Sequence, residues 1–196
     1  MKVDLNKRKD IGTKRTLYGF TSAMFALLEK ESLEKVSVQE ICGKAMSPRA
    51  TFYNYFEDKY DLMNTCWDTV LSECFGNMED LSYSFGAIVD CLVLGFDYME
   101  EHHARIQKIF KSNGRWGQMY QSFQAHMTEQ LVESFVNCPG KDHLTYSPEL
   151  TASFIGSVLF SLFERKIREG KSFTKKEARE FLTASINYES LGMIYD

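Results

Sequence analysis

Arg49, Thr51, Tyr53, Asn54 and Tyr55 place a guanidinium, a hydroxyl, two phenols and a carboxamide within one short stretch that contains no acid. Groups of this kind donate to phosphate oxygens and exchange hydrogen bonds with base edges, so the stretch has the chemistry of a DNA-reading surface. Phe52 and Phe56 stand four residues apart and would turn to the other side of a helix, into a core. Acids return only at Glu57 and Asp58, past the expected helix end. The same pattern also fits an ordinary solvent-facing helix.

Two short helices would have to position these groups. Ser37 followed by Glu40 is a capping box, which predicts a helix starting at Val38. Val38, Ile41, Cys42 and Ala45 give it an apolar face. Pro48 interrupts any continuation, because proline lacks the N–H and restrains Ser47 before it. Ser47 as N-cap, with Pro48 at the first helical position, predicts a second helix over about 48–55. Two helices joined by so short a turn cross at a large angle, the helix-turn-helix geometry, here at about 37–56.

The run TFYNYFEDKYDL resembles the motif of the TetR (tetracycline repressor-like) family, Thr-Phe/Leu-Tyr-x-His/Tyr-Phe-x-Ser/Asp-Lys-x-x-Leu, and SLEKVSVQEICGKA is similar to that family's approach to its recognition helix. The resemblance covers residues 13 to 63. It implies that Thr51, Tyr53, Tyr55 and Lys59 hold the DNA backbone and that Arg49, Ala50 and Asn54 read bases. Ser37 and Ser47, at the two helix starts, complete the candidate DNA-binding set. The chain departs from the family at Ala45-Met46-Ser47-Pro48, where Ala-Gly-Val-Ser is usual. Met46 replaces the turn glycine, so the turn must avoid or tolerate a positive φ at a bulky residue.

Composition bounds the rest. The chain has 196 residues, 44% of them hydrophobic, and only 3 prolines, ordinary for a globular, helix-rich protein. No apolar run is long enough to span a membrane, and the N-terminal MKVDLNKRKD lacks the apolar segment of a signal peptide. Five scattered cysteines, odd in number and without a C-x-x-C pair, fit buried thiols in a reducing cytoplasm, with a thiol sensor as the alternative. The net charge of −4 hides an asymmetry: residues 1–60 hold 11 Lys and Arg against 8 Asp and Glu, while the remainder is acidic. A basic end on an acidic body fits a protein that offers one end to a polyanion. The basic excess is concentrated in Lys2, Lys7, Arg8, Lys9, Lys14 and Arg15, and residues 1–12 would form a flexible arm tracking DNA or a solubilising tail.

Leu17, Phe20, Met24, Leu27 and Leu28 recur at helical spacing and predict a first helix over about 13–31. Asp58 can cap a fourth helix running through Leu62, Met63, Cys66, Trp67, Val70 and Leu71. Amphipathic helices are then expected at about 84–101, 103–112, 116–137, 148–169 and 174–190, with a second capping box at Thr174 and Glu177. No strand or repeat is expected, so the fold class is all-α. An N-terminal three-helix helix-turn-helix DNA-binding domain (13–60) would precede a larger helical effector-binding and dimerisation bundle (61–196).

Aromatic and methionine side chains crowd the middle helices. Trp67, Phe96, Met99, Phe110, Trp116, Met119, Tyr120 and Phe123 are candidates to line an effector pocket, since such residues suit an apolar or flat ligand. They equally suit plain core. Phe154, Ile155, Val158, Leu159, Leu162, Phe181 and Ile186 lie on the last two helices, which form the dimer interface in the resembled family. An intrachain core is the alternative.

Enzymatic motifs are wanting. There is no Walker loop, no Gly-x-Ser-x-Gly, no His-Glu-x-x-His and no zinc spacing of Cys and His, and Glu100-x-x-His103 lacks the second copy that a di-iron bundle requires. No cofactor or metal is expected. The sequence therefore points to a cytoplasmic, homodimeric DNA-binding transcriptional regulator. Its expected partners are a double-stranded, palindromic DNA operator and a small-molecule effector that releases it as a repressor. The other reading is an all-α binding module whose head does not bind DNA specifically.

Overall fold

The computed structural model describes residues 11–76, 84–114, 117–137, 141–170 and 174–193, apart from the Phe85 side chain. Among them are nine α-helices and no strand: α1 (Ile11–Leu28), α2 (Val38–Lys44), α3 (Arg49–Tyr55), α4 (Lys59–Phe75), α5 (Phe85–Glu101), α6 (His103–Asn113), α7 (Gln118–Asn137), α8 (Pro148–Glu169) and α9 (Lys175–Ser185). The basic arm at 1–10 and Trp116 lie outside the described residues; Ile11 and Gly12, assigned to the arm from sequence, open α1.

By compactness the chain forms two units, residues up to Val70 with Ala104–Phe123, and Leu71–His103 with Gln124 onward. The first unit thus takes in more than the 13–60 segment. Its core is built on Phe20, Phe52 and Phe56, all fully buried, whose rings meet edge to face or tilted at centroid distances of 5.5, 5.8 and 5.2 Å. Met24, Leu28, Leu33, Ile41, Leu62 and Met63 fill the space around them. Trp67 lies 4.9 Å from Phe123, ring to ring, and its indole N–H donates to Ser122 Oγ at 2.9 Å.

The second unit packs α5, α8, α9 and the later part of α7 around Val89, Leu92, Phe96, Leu131, Ile155, Leu159, Phe163 and Leu182. Gly95 lets α8 approach α5: a Cβ there would lie 2.4 Å from Cε1 of Phe163. The helix starts follow their capping residues. Ser147 caps α8 with Pro148 at its first turn, and Thr174 and Glu177 close a full capping box on α9. α9 ends at Ser185, short of the expected 190, and the chain then turns back so that Thr145 N donates to Leu191 O at 3.0 Å. Gly192 sits at φ 75 in this return, with its Cβ position against the His143 carbonyl.

Candidate nucleic-acid interface

The first helix of the motif begins as its residues dictate. Ser37 N–H donates to Glu40 Oε2 at 2.9 Å and Glu40 N–H returns to Ser37 Oγ at 3.2 Å, closing the capping box of α2. The hydrogen bond from the Ser37 side chain holds the Glu40 carboxyl below its ordinary range.

The turn after α2 differs from the expectation, for an identifiable reason. Met46 N–H donates to Gly43 O at 3.3 Å and Ser47 N–H to Cys42 O at 3.0 Å, with Met46 at φ 50. These are the paired bonds of a Schellman motif, with methionine at the left-handed position where glycine is usual. The Ser47 hydroxyl donates back to the Ala45 carbonyl at 3.3 Å, and Ser47 is not the N-cap of α3. That position falls to Pro48 (φ −61, ψ 149), and α3 starts at Arg49 without a side-chain cap. The identical Ser-Pro pair at 147–148 does cap a helix.

Along α3, Phe52 goes into the core while Arg49, Ala50, Tyr53 and Asn54 are exposed. Arg49 Nη2 donates to the Tyr53 hydroxyl at 3.3 Å, and the guanidinium carbon lies 5.8 Å from that ring centroid. The hydrogen bond to Tyr53 raises the Arg49 pKa further. Thr51 and Tyr55 are half-buried, Tyr55 against Phe56 at the core edge. Asp58 Oδ1 accepts from the N–H groups of Tyr60 and Asp61, capping α4 at its start.

Lys59 is placed otherwise than the resemblance implies. Its Nζ donates to the carbonyls of Leu33, Glu34 and Val36, each at 2.8 Å. An ammonium has three protons, so these three bonds use all of them in this structure. Lys59 fixes the segment that leads into α2.

Asn113, which carries no signal in the sequence beyond its Asn-Gly turn, fixes the same segment. Its carboxamide accepts from Leu33 N–H at 2.8 Å and donates to Leu28 O at 3.0 Å and Ile109 O at 2.9 Å. Glu34 accepts from Gln118 N–H at 2.9 Å, and that bond leads in holding its carboxyl below the ordinary range. Partners some eighty residues apart leave no periodicity for sequence reading to find.

The expected effector residues do not share one core. Trp67, Phe110, Met119, Tyr120 and Phe123 belong to the first unit, with Trp67, Met119 and Tyr120 buried; Phe96 is buried in the second, with Met99 packed against that core. Of the expected dimer residues, Ile155, Leu159, Leu162 and Ile186 are buried in their own chain's core, which removes them from the surface. Phe154 and Phe181 are exposed, and Val158 is half-buried. Glu100 accepts from the buried ammonium of Lys166, and no group of three or more potential metal ligands occurs among the described residues. No helix among the described residues is long and apolar enough to cross a membrane. Burial lifts the Cys74 and Cys91 thiols to about 12 and pushes Cys42 and Cys66 up as well.

The chain is similar to known regulators over most of its length. It is 24% identical to the HTH-type dhaKLM operon transcriptional activator DhaS of Lactococcus lactis subsp. lactis, over 87% of this chain and 88% of that protein. A solved structure described as a TetR-family transcriptional regulator from Syntrophomonas wolfei superposes with a TM-score of 0.59 at 14% identity, covering 92% of this chain and 96% of that one. NalD of Pseudomonas aeruginosa, the secondary repressor of the MexAB-OprM multidrug efflux pump, superposes with a TM-score of 0.55 at 15% identity, covering 92% and 97%. No family model matches the sequence. The chain has the TetR-like fold, an all-α architecture with an N-terminal helix-turn-helix followed by a helical bundle.

Proposed function

We propose that the protein is a sequence-specific DNA-binding transcriptional regulator that acts as a homodimer in the cytoplasm, where its DNA is. The observation that carries this reading is the exposed, acid-free face of α3, with Arg49, Ala50, Tyr53 and Asn54 outward and Phe52 anchoring the helix from behind. Arg49 and Asn54 have the donor and acceptor patterns that match guanine and adenine edges, Ala50 can meet a thymine methyl, and Tyr53 and Thr51 can donate to phosphates. Tyr55 stands at the edge of this face, and Ser37 at the start of α2 completes it. Lys59 enters as the group that positions the motif.

A single α3 of seven residues spans too few bases for useful specificity, so two copies on a palindromic operator are proposed. Leu150, Phe154 and Phe181, exposed on α8 and α9, support the second unit as the pairing surface. A small-molecule effector taken up by the bundle, with release from DNA as its consequence, belongs to the same proposal. DhaS is named an activator and NalD a repressor, so the sign of regulation is read by experiment.

The test is fluorescence anisotropy of labelled duplex from upstream of the protein's own gene, across a salt series. Tight, sequence-dependent binding of two chains per duplex, with log affinity falling linearly in log salt, is the expected result. Weak binding that is blind to sequence and gone at physiological salt would overturn it, leaving a helical binding module. Reporter transcription from the same DNA then distinguishes repression from activation.

A further inference from the structure

Arg49 and Tyr53 stand one helical turn apart on the exposed face of α3, joined by a hydrogen bond from Nη2 to the phenol oxygen at 3.3 Å, with the guanidinium carbon 5.8 Å from the ring centroid. We propose that Tyr53 is a specificity-determining residue that acts through Arg49: its hydroxyl and ring hold the guanidinium in the pose that reads a guanine. This rests on the DNA-binding reading above, which by itself gives Tyr53 only a phosphate.

The chemistry of the pair leads there. A guanidinium carries five N–H groups in a rigid fork. One N–H of Nη2 is taken by Tyr53; the other remains, together with both on Nη1. With the Nη2 proton on the Nε side given to Tyr53, the outer protons of Nη1 and Nη2 are left as the end-on fork that fits O6 and N7 of guanine, and this is the pose the inference requires. An unrestrained arginine on an exposed helix would spread over many rotamers and reach phosphates as readily as bases. The ring and the hydroxyl remove most of that freedom before DNA arrives, which favours the one base edge within reach. The phenol accepts from Arg49 and keeps its own proton to donate to a phosphate oxygen, and accepting from a cation strengthens that donation. One hydroxyl thus ties the backbone contact to the base contact.

The pair is tested by selecting duplexes from a randomised pool with the full-length wild type, Tyr53→Phe, Arg49→Ala and the double variant. The selected duplex and its single-base substitutions are then titrated against each. Circular dichroism melting confirms that all four chains fold, as expected for exposed positions. The wild type should enrich a guanine in each half-site, and Arg49→Ala should erase that preference. Tyr53→Phe should reduce the guanine preference about five-fold or more at that position alone, beyond a uniform loss of affinity, and should have no such extra effect when Arg49 is already alanine. If Tyr53→Phe weakens every duplex by one factor, and by the same factor with alanine at 49, the inference is overturned and Tyr53 is a phosphate contact only. If the wild type enriches no sequence at all, the DNA-binding reading fails first and the inference falls with it.

Discussion

Met46 holds a left-handed backbone conformation, φ 50, with a side chain that is 92% exposed and gains nothing from packing. Such a conformation costs an L-residue roughly 1–2 kcal/mol, a cost glycine avoids. Met46→Gly should therefore stabilise the protein by about 1 kcal/mol, read as a higher urea midpoint, while the Schellman bonds at Gly43 and Cys42 keep α3 in place. Lys59→Ala should act in the opposite direction. Losing three hydrogen bonds from a charged donor should cost roughly 2–4 kcal/mol, and DNA affinity should fall because the motif loosens. With the three Lys59 protons on this loop, the salt slope of whatever binding survives is expected to be unchanged; a slope reduced by about one unit would return Lys59 to the DNA backbone. The Glu34 and Glu40 carboxyls add a pH dependence. Both are held below their ordinary range, Glu34 chiefly by Gln118 N–H and Glu40 chiefly by the Ser37 side chain. A folded pKa below the unfolded one gives stability that is present above the ordinary carboxylate range and is lost as pH falls through the folded value. Melting temperature should drop on acidification from about pH 5 to pH 3, and Glu34→Gln with Glu40→Gln should flatten that descent.

At the scale of elements, helix starts were legible wherever one local device decided them. Ser37 with Glu40, Thr174 with Glu177 and Ser147 before Pro148 all begin helices as their spacing predicts. Ser47 before Pro48 does not: its hydroxyl turns back to the Ala45 carbonyl at the end of α2, and two Ser-Pro pairs look alike until that contact is known. The exposed residues of α3 follow from alternation against Phe52 and Phe56. The contacts of Lys59 and Asn113 do not, being made with carbonyls and N–H groups that look the same in every residue. Periodicity equally cannot say which apolar residues a chain uses up for itself, and so Ile155, Leu159, Leu162 and Ile186 resemble interface residues until their burial is seen. The close approach at Gly95 is of the same kind, visible only once Phe163 stands opposite. Gly95→Ala would put a methyl carbon 2.4 Å from that ring. Displacing a buried aromatic ring should cost about 1–3 kcal/mol in urea denaturation, and pairing Gly95→Ala with Phe163→Leu should recover part of the loss.

At the scale of the whole molecule, the proposed function requires two chains to act together. Leu150, Phe154, Ser157 and Ser161 recur along the exposed side of α8, and Phe181 is exposed on α9. Phe154 and Phe181 are 47% and 41% exposed and stand outside the buried core of their unit, so altering them changes chiefly a surface. Phe154→Glu and Phe181→Glu together place like charges on that surface in both copies, and pairing would bring those charges face to face out of water. The double variant should melt near the wild-type temperature yet run as a monomer by light scattering. On DNA, the linked second head acts as a raised local concentration, so its removal should weaken operator binding by on the order of 100-fold or more. Binding to a single half-site should be nearly unaffected, because α3 and its Arg49–Tyr53 pair are untouched. A variant that stays dimeric would place the pairing surface elsewhere. A variant that becomes monomeric and binds the full operator as tightly as before would mean that one head suffices, and the need for a palindrome would go with it.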